Sequence, residues 1–560
     1  MNTSCKHCHK GFDIDQDDQA FYEKIHVPHP THCPDCRRQR RLSFRNDYMF
    51  YSRSCDLCKR SIISLYNPEN PQPIYCNKCW WSDQCQPESC ARDVDFSRSF
   101  FEQFQALRAA VPALALVNDN TTGSENCEYV QNVQYSKNCY MAMVSWKIEN
   151  CIYFSYGAEA KDAVDSMGIF APSEGIYQTL YSGDCYGSRY IQDSSTLKNC
   201  AYCYDCHGCE DSFLCVGLRN KKYHFKNREY SKEEYEKILK DYALDSWSGH
   251  TRAWKEFQDF LLTQPRKYAA LTNCVESTGN NIANCKNSSH VFHLRRAEDC
   301  KYLENGDTEK GSYDLCVGGE LEECYEGLTP DHSYRALFTS YTWKSSNVTY
   351  TDFCMSCKDC FGCVGLRHKQ FCILNKQYTE EEYHALKNKL IEHMTATGEW
   401  GEFFPMSCSP FAYNESMAHL SFPLTKAEAL AKGLRWRDEF QETRGKTTLR
   451  DIPDTISDVP NSIVSEVLEC ESCQRNYKIV PDELIFYRTW SIPIPRECFY
   501  CRLAARFALR GPTQLWNRSC MCEEASHGHA GKCVATFETS YSPEKPWKLY
   551  CEECYQKEHM

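Results

Sequence analysis

The apolar and polar positions of this chain follow a strict rhythm in its middle. Written in rows of twelve from residue 125, the sequence reads ENCEYVQNVQYS, KNCYMAMVSWKI, ENCIYFSYGAEA, KDAVDSMGIFAP. Cys127, Cys139 and Cys151 stand in one column, each preceded by an asparagine, with Tyr129, Met141 and Tyr153 two positions later. Residues two apart on a strand share a face. A fixed short period carrying small residues predicts a parallel β-solenoid, with equivalent cysteines in an internal column and equivalent asparagines laddered at a corner. The rhythm returns at KNCAY (198–202) and EDCKY (298–302). The block is also duplicated: CVGLRNKKYHFKNREYSKEEYEKIL at 215–239 matches CVGLRHKQFCILNKQYTEEEYHALK at 363–387. The second copy is less regular, since Cys285 follows Cys274 by 11 residues and Cys300 follows Cys285 by 15.

Four helices are predicted, at 95–111, 231–245, 379–394 and 425–440. The first carries Phe96, Phe100, Phe104, Leu107 and Val111 on one face, which should dock it onto a neighbour. Ser231 and Thr379 each begin an S/T-x-x-E capping box. Those two helices should close the open ends of the solenoid and protect its edge strands.

A second duplication lies at the two ends. Cys5-x-x-Cys8 precedes Cys33-x-x-Cys36 by 24 residues, and Cys470-x-x-Cys473 precedes Cys498-x-x-Cys501 by the same gap. A further set follows each: Cys55, Cys58, Cys76 and Cys79 in the first copy, Cys520, Cys533, Cys551 and Cys554 in the second. Cys58 and Cys533 are both separated from the next CxxC by 17 intervening residues, so CEEASHGHAGK is an insertion and Cys522 is spare. Cys520 and Cys522 could nevertheless exchange roles, and His527 or His529 could replace either. Four thiolates close a tetrahedral shell that suits zinc and leaves no position for water, so the sites are structural. Four such sets predict about four zinc ions per chain.

The stretch CKHCHKGFDID…AFYEKIHVPHPTHCPDCRRQRR, within residues 5–41, resembles the zinc-ribbon or treble-clef family with its CxxC…FY…P…CPxCR pattern. With zinc modules flanking a cysteine-rich middle and segments such as GLRNKKY, the whole chain resembles a family of bacterial multi-zinc-ribbon proteins. That resemblance implies metal-holding ends and no particular activity. The insertion after Cys522 departs from the pattern.

Composition narrows the class. The chain has 560 residues, 42% hydrophobic and 25% charged, which is ordinary for a globular protein of roughly three or four domains. Its 39 cysteines are not ordinary. No basic start with an apolar run opens the chain, and no stretch approaches ~20 apolar residues. A cytoplasmic protein with reduced or metal-bound thiols and no membrane contact is therefore expected, with a disulfide-stapled secreted protein as the alternative. Cys200, Cys203, Cys206 and Cys209, like Cys354, Cys357, Cys360 and Cys363, follow C-x-x-C-x-x-C-x-x-C. They would stack inside the solenoid, hold a further zinc, or begin an iron–sulfur site.

Charge raises one more expectation. The formal net charge is −12, yet CRRQRRLSFR places Arg37, Arg38, Arg40, Arg41 and Arg45 directly after a CxxC. Arg502, Arg506 and Arg510, four apart, follow the matching CxxC. A helix opening at that knuckle would hold such a row on one face, where guanidinium suits phosphate. RNA, DNA or a ribosome is the expected partner; the alternative is a solvated face that pairs with the acidic middle domain. No GxxxxGK[ST], HExxH or GxSxG is present. Asp162, Asp165 and Glu174 allow only a remote carbohydrate-enzyme reading.

The expected architecture is mainly β with short helices, a tandem parallel β-solenoid-like core flanked by two double zinc-ribbon or treble-clef modules. Its segments are a double zinc module (1–95), a helix and connector (96–120), the first solenoid repeat with its capping helix (121–250), a connector (251–272), the second repeat (273–395), a helical linker segment (396–465) and the second double zinc module (466–560). DIPDTISDVPNS, at 451–462, reads as the linker. The expected function is non-enzymatic binding of nucleic acid or a ribonucleoprotein. A protein–protein interaction scaffold comes second, and a redox or carbohydrate-active enzyme third.

Overall fold

The computed structural model describes residues 1–118, 123–168 and 173–559. The boundary expected at 120/121 and the end of the row KDAVDSMGIFAP lie outside the described residues. The fold is mainly β, with twelve α-helices among the described residues. It divides into two compact units, one of 1–116 with 271–440 and the other of 117–270 with 441–560. Each unit therefore joins one cysteine-rich end of the chain to one periodic block.

In the unit holding the first block, parallel strands follow one another at a register of twelve: Gln131 pairs with Met143, and Met143 with Ser155. Later strands continue it, with Arg189 beside Ala201, Ala201 beside Phe213 and Cys203 beside Cys215. Single parallel bridges fill the gaps, at Glu125–Lys137–Glu149–Lys161 and Glu128–Tyr140–Ile152–Val164. Each twelve-residue rung thus touches the next at four places, every three residues.

That three-residue spacing replaces the expected alternation of two. Cys139, Ala142, Ser145, Ile148 and Cys151 are all buried, and the cysteines and apolar residues of this series share one core cluster. The residue before each inward position turns the backbone into the left-handed region, with φ of 49° at Asn126, 53° at Tyr129 and 52° at Asn132. Tyr129, expected to share a face with Cys127, stands at such a corner and is 39% exposed. A non-glycine residue there costs roughly 1–2 kcal/mol, least for Asn and Asp. This is why asparagine precedes the cysteines. The side chains also compensate across rungs: Asn126 donates to Asn138 at 2.8 Å, Asn138 to Asn150 at 3.0 Å, and Asn150 to Asp162 at 2.8 Å.

The residues at these positions share one buried cluster, and many of them are small. Ser136 donates to the Gln134 carbonyl at 2.8 Å and accepts from the Ile148 amide, one rung on, at 3.2 Å. Cys139 makes weaker contacts of the same kind to the carbonyls of Lys137 (3.2 Å) and Ile148 (3.6 Å). Cys200, Cys203, Cys206 and Cys209 occupy four successive inward positions and are buried, as are Cys354, Cys357, Cys360 and Cys363. Neither quartet is among the groups whose donor atoms converge for a metal.

The second block starts with an offset of eleven, at Leu271–Ile282, Thr272–Ala283 and Val275–Lys286. From Gly279–Val291 onward the register is twelve. Cys285 pairs with Ala297, and Cys300 is simply the next inward residue. One inward residue is charged by type. Glu309 is buried among Gly306 and Gly318, whose missing Cβ atoms leave it room. Burial pushes its carboxyl well above the usual carboxylate range, which favours the protonated form.

Both blocks end alike. A short antiparallel hairpin is followed by the capped helices Lys232–Tyr242 and Glu380–Thr397, each with the expected capping box. Asn227 takes the place of the next rung. It accepts from the Val216 amide and donates to the Val216 carbonyl, both at 2.9 Å. Asn375 does the same for Val364, both at 2.8 Å. The expected helix at 95–111 is Phe100–Ala110. Phe96 lies outside it and is 43% exposed. The expected 425–440 helix is only Lys426–Ala431, stopped before Gly433, which has φ of 70°. A 17-residue helix, Trp247–Thr263, occupies the presumed connector. Its His250 stacks on Tyr190, and Phe257 meets Tyr202 edge-on, so the apolar content of that segment comes from rings.

Two outcomes test this interior. Cys139→Ala should cost about 1 kcal/mol in denaturant unfolding, because a small apolar residue fills most of the position, whereas Cys139→Asp should prevent folding. Glu309 binds its proton more tightly folded than unfolded, so its contribution is fully present below the ordinary value of 4.5 and lost as pH rises. Glu309→Gln should therefore raise the unfolding midpoint at pH 8, with the gain shrinking as pH falls toward 4.5. An equal gain at all pH values would contradict a protonated Glu309.

Candidate metal centres

Each end of the chain builds two knuckles. In the first, a hairpin of Asn2–Ser4 and Gly11–Asp13 presents Cys5 and Cys8. The Cys5 amide donates to the Lys10 carbonyl and the His9 amide to the Cys5 carbonyl, both at 2.9 Å, with His9 at φ 61°. The same bonds recur at Cys55 (from Cys55 to Arg60, from Lys59 to Cys55) and at Cys470 (from Cys470 to Arg475, from Gln474 to Cys470). The second CxxC of each set opens a helix: Pro34–Leu42 after Cys33, Asn77–Trp80 after Cys76, Phe499–Arg510 after Cys498, and Glu552–His559 after Cys551.

These elements bring the thiols together in four closed groups: Cys5, Cys8, Cys33, Cys36; Cys55, Cys58, Cys76, Cys79; Cys470, Cys473, Cys498, Cys501; and Cys520, Cys533, Cys551, Cys554. Sulfur–sulfur distances across the pairs are 3.7 Å for Cys8–Cys33, Cys470–Cys501 and Cys473–Cys498, 3.9 Å for Cys58–Cys76, and 4.0 Å for Cys533–Cys551. A tetrahedron with ~2.3 Å metal–sulfur bonds has edges of about 3.8 Å, so these groups can hold a metal ion and zinc fits them. Burial raises several of these thiols, Cys79 and Cys498 among them, while others are lowered. The Cys36 side chain, working against burial, brings Cys33 down to about 5. The Arg60 amide and guanidinium hold Cys58 near 6.

The fourth knuckle is split by the insertion and keeps its register. The Cys520 amide donates to the Ala535 carbonyl at 2.8 Å, as Cys55 does to Arg60. The Cys551 amide points at Cys520 Sγ at 3.3 Å, as the Cys76 amide does at Cys55 Sγ. Cys533 thus occupies the place of Cys58. Cys522, still a candidate for the tetrad by sequence alone, lies elsewhere, with its Sγ 3.1 Å from His527 Nδ1.

The arginines do not form an open basic row. The helix Pro34–Leu42 lies on the strands Tyr313–Cys316 and Tyr325–Leu328 of its own unit. Arg37 meets Asp314 at 2.8 Å, and Arg41 bridges Asp314 (3.0 Å) and Glu326 (3.1 Å), all essentially inaccessible. Arg40 pairs with Glu326 and Glu402 at 2.7 Å, Arg38 with Glu304 at 2.8 Å, and Arg45 with Asp47 at 2.8 Å. In the other unit Arg502 and Arg506 share Asp165 at 2.8 Å each, Arg502 also reaches Glu483, and Arg510 covers the Tyr156 ring. Burial alone would disfavour charge on Arg37 and Arg41, but Asp314 together with neighbours such as Tyr22 for Arg37 and Glu326 for Arg41 raises both. Burial would likewise push Glu402 up, yet the His32 hydrogen bond and the Arg40 charge bring it down to about 2. The physical reason is complementarity: an acidic strand face needs cations, and the row supplies them. Asp165, a remote catalytic candidate by sequence, is spent on the same contact.

These contacts generate two predictions. Cys533→Ser should lose one metal ion per chain by native mass spectrometry, since Cys533 completes a tetrad. Asp314→Asn and Asp165→Asn should each destabilise their unit by about 3–5 kcal/mol in chemical denaturation, because each leaves two buried guanidinium groups short of a carboxylate. A cost below 1 kcal/mol would mean these pairs do not hold the modules.

No family model and no curated protein matches the chain. A solved structure described as a "putative acetyltransferase" from Desulfovibrio desulfuricans G20 aligns with 43% of this chain and 60% of its own, at 9% identity. The TM-score of 0.09 is too low for that likeness to bear on fold or function.

Proposed function

We propose that the protein is a zinc-stabilised, non-enzymatic scaffold that binds a protein partner. In this reading the four tetrads each hold a structural zinc, and each parallel ladder closes on itself as a β-solenoid with a twelve-residue coil. Closure is supported by the four contacts between successive rungs and by the shared interior cluster. Zinc is favoured because four soft thiolates at tetrahedral spacing leave no site for substrate or water.

The observation that carries the choice of partner is the position of the guanidinium groups. Arg37, Arg41, Arg502 and Arg506 are at most 4% exposed and engage carboxylates of their own unit. Basic groups used internally do not release counterions from a nucleic acid, which is the main source of sequence-independent affinity. The outer edges of the ladders instead carry alternating charges, such as Lys286–Glu298 at 3.4 Å and Lys310–Glu322 at 3.1 Å. Such a mixed surface suits a protein better than a phosphate backbone.

Co-purification from native cells, with and without nuclease, tests this reading. A protein partner retained after nuclease treatment, with no salt-sensitive binding of purified chain to RNA, DNA or ribosomal particles, is the expected result. Nuclease-sensitive capture, with affinity falling steeply as salt rises, would overturn it in favour of nucleic acid. No helix among the described residues is long and apolar enough to cross a membrane.

A further inference from the structure

The insertion of the C-terminal module brings four donors to one place beside the fourth tetrad. Cys522, His527, His529 and Cys554 have ligating atoms all within 4.8 Å of one another. Cys522 Sγ is 3.1 Å from His527 Nδ1, and Cys554 Sγ is 3.4 Å from His529 Nε2. Cys522 is fully buried, and His527 and Cys554 are nearly so. We propose that this cluster holds a fifth metal ion, with Cys554 as a thiolate bridge to the ion of the neighbouring tetrad.

The local backbone supports a built site. The Cys533 amide donates to the Cys522 carbonyl at 2.9 Å and closes the base of the inserted loop. Within the loop, a turn at Ala525–His527 ends at Gly528, whose φ of 89° folds the chain back so that both imidazoles face Cys522 and Cys554. Lys557 holds the His527 carbonyl at 2.5 Å and ties the loop to the final helix.

The imidazoles are also oriented from behind. His529 Nδ1 lies 2.8 Å from the Gly531 carbonyl, which can only accept, so Nδ1 carries the proton and Nε2 presents its lone pair. His527 Nε2 lies 3.7 Å from Glu558, leaving Nδ1 toward Cys522. A carbonyl or carboxylate behind a ligating histidine fixes its tautomer and raises its basicity.

The inference rests on the tetrad being loaded, and that premise supplies its strongest argument. A Cys554 thiolate bound in the tetrad has no proton to give His529. Sulfur and nitrogen lone pairs would then face each other at a partly buried site, and a cation resolves that conflict. Seven side chains fill eight tetrahedral positions because Cys554 serves twice. Five thiolates and two divalent ions leave a net charge of −1, which Lys557 at the cluster's edge offsets. Two thiolates with two imidazoles suit zinc or cobalt(II).

Native mass spectrometry of the full chain, purified with zinc and without chelator, distinguishes the possibilities. Five ions in the wild type, and four in both Cys522→Ser and His529→Gln, are expected. His529 is only half-buried, so its variant should fold even where the cysteine variant does not. Four ions in the wild type would overturn the fifth site while leaving the tetrads intact. Fewer than four would overturn the tetrads and the bridge together. Cobalt(II)-substituted wild type should show a mixed sulfur–nitrogen d–d spectrum that His529→Gln loses; an unchanged spectrum would count against the imidazole ligands.

Discussion

The arrangement depends on a buried exchange of charge. A helix that begins at a metal knuckle carries arginines four residues apart, and the periodic strands opposite carry aspartate and glutamate in matching places. Neither partner is tolerable alone in a water-free contact, since an unpaired buried charge costs several kcal/mol. The knuckle makes the match possible. The cysteines at the start of the helix belong to a tetrad, and a metal ion held there would fix the first turn and aim the guanidinium groups at the strand face. Arg37 and Arg41 sharing Asp314 in one unit, and Arg502 and Arg506 sharing Asp165 in the other, form the same device built twice.

Much of this was legible in the sequence because it is written in spacings. The pairs at Cys5, Cys33, Cys55 and Cys76 and their C-terminal counterparts announce tetrads, and the 17-residue interval identifies Cys533 despite the insertion. The twelve-residue columns gave the register, and the asparagines before Cys127, Cys139 and Cys151 gave the ladder. The inward period was missed. Ordinary strands alternate by two, and only the left-handed turn at every third residue shifts that to three. Asn132, Tyr135 and Val144, each at φ near 52°, carry no common sequence signal for such a turn.

The arginines show a different limit. Composition identifies a basic segment but not what faces it. Asp314 and Glu326 lie 277 and 286 residues from Arg37 and Arg40, and in the sequence they are unremarkable members of an acidic middle region. The alternative open from the sequence was a solvated face that pairs with that region; the pairing is found, but the groups are buried rather than solvated. The cluster at Cys522 was half visible, since His527 and His529 stood out as substitutes for a tetrad ligand rather than as partners of the spare cysteine.

The composition of the units has a consequence for biosynthesis. Residues 1–116 belong with 271–440, and 117–270 with 441–560. The first knuckles therefore leave the ribosome well before the strands that cover their arginines. At typical elongation rates of about 5–20 residues per second, an interval on the order of ten seconds or more separates the two. During that time the arginines that Asp314 and Glu326 later cover would have no such partners. The last knuckles meet the opposite situation, since their acidic counterpart at Asp165 is already present when they emerge. Early capture of a metal ion by the tetrads would thus protect a waiting module at one end of the chain and complete an existing surface at the other.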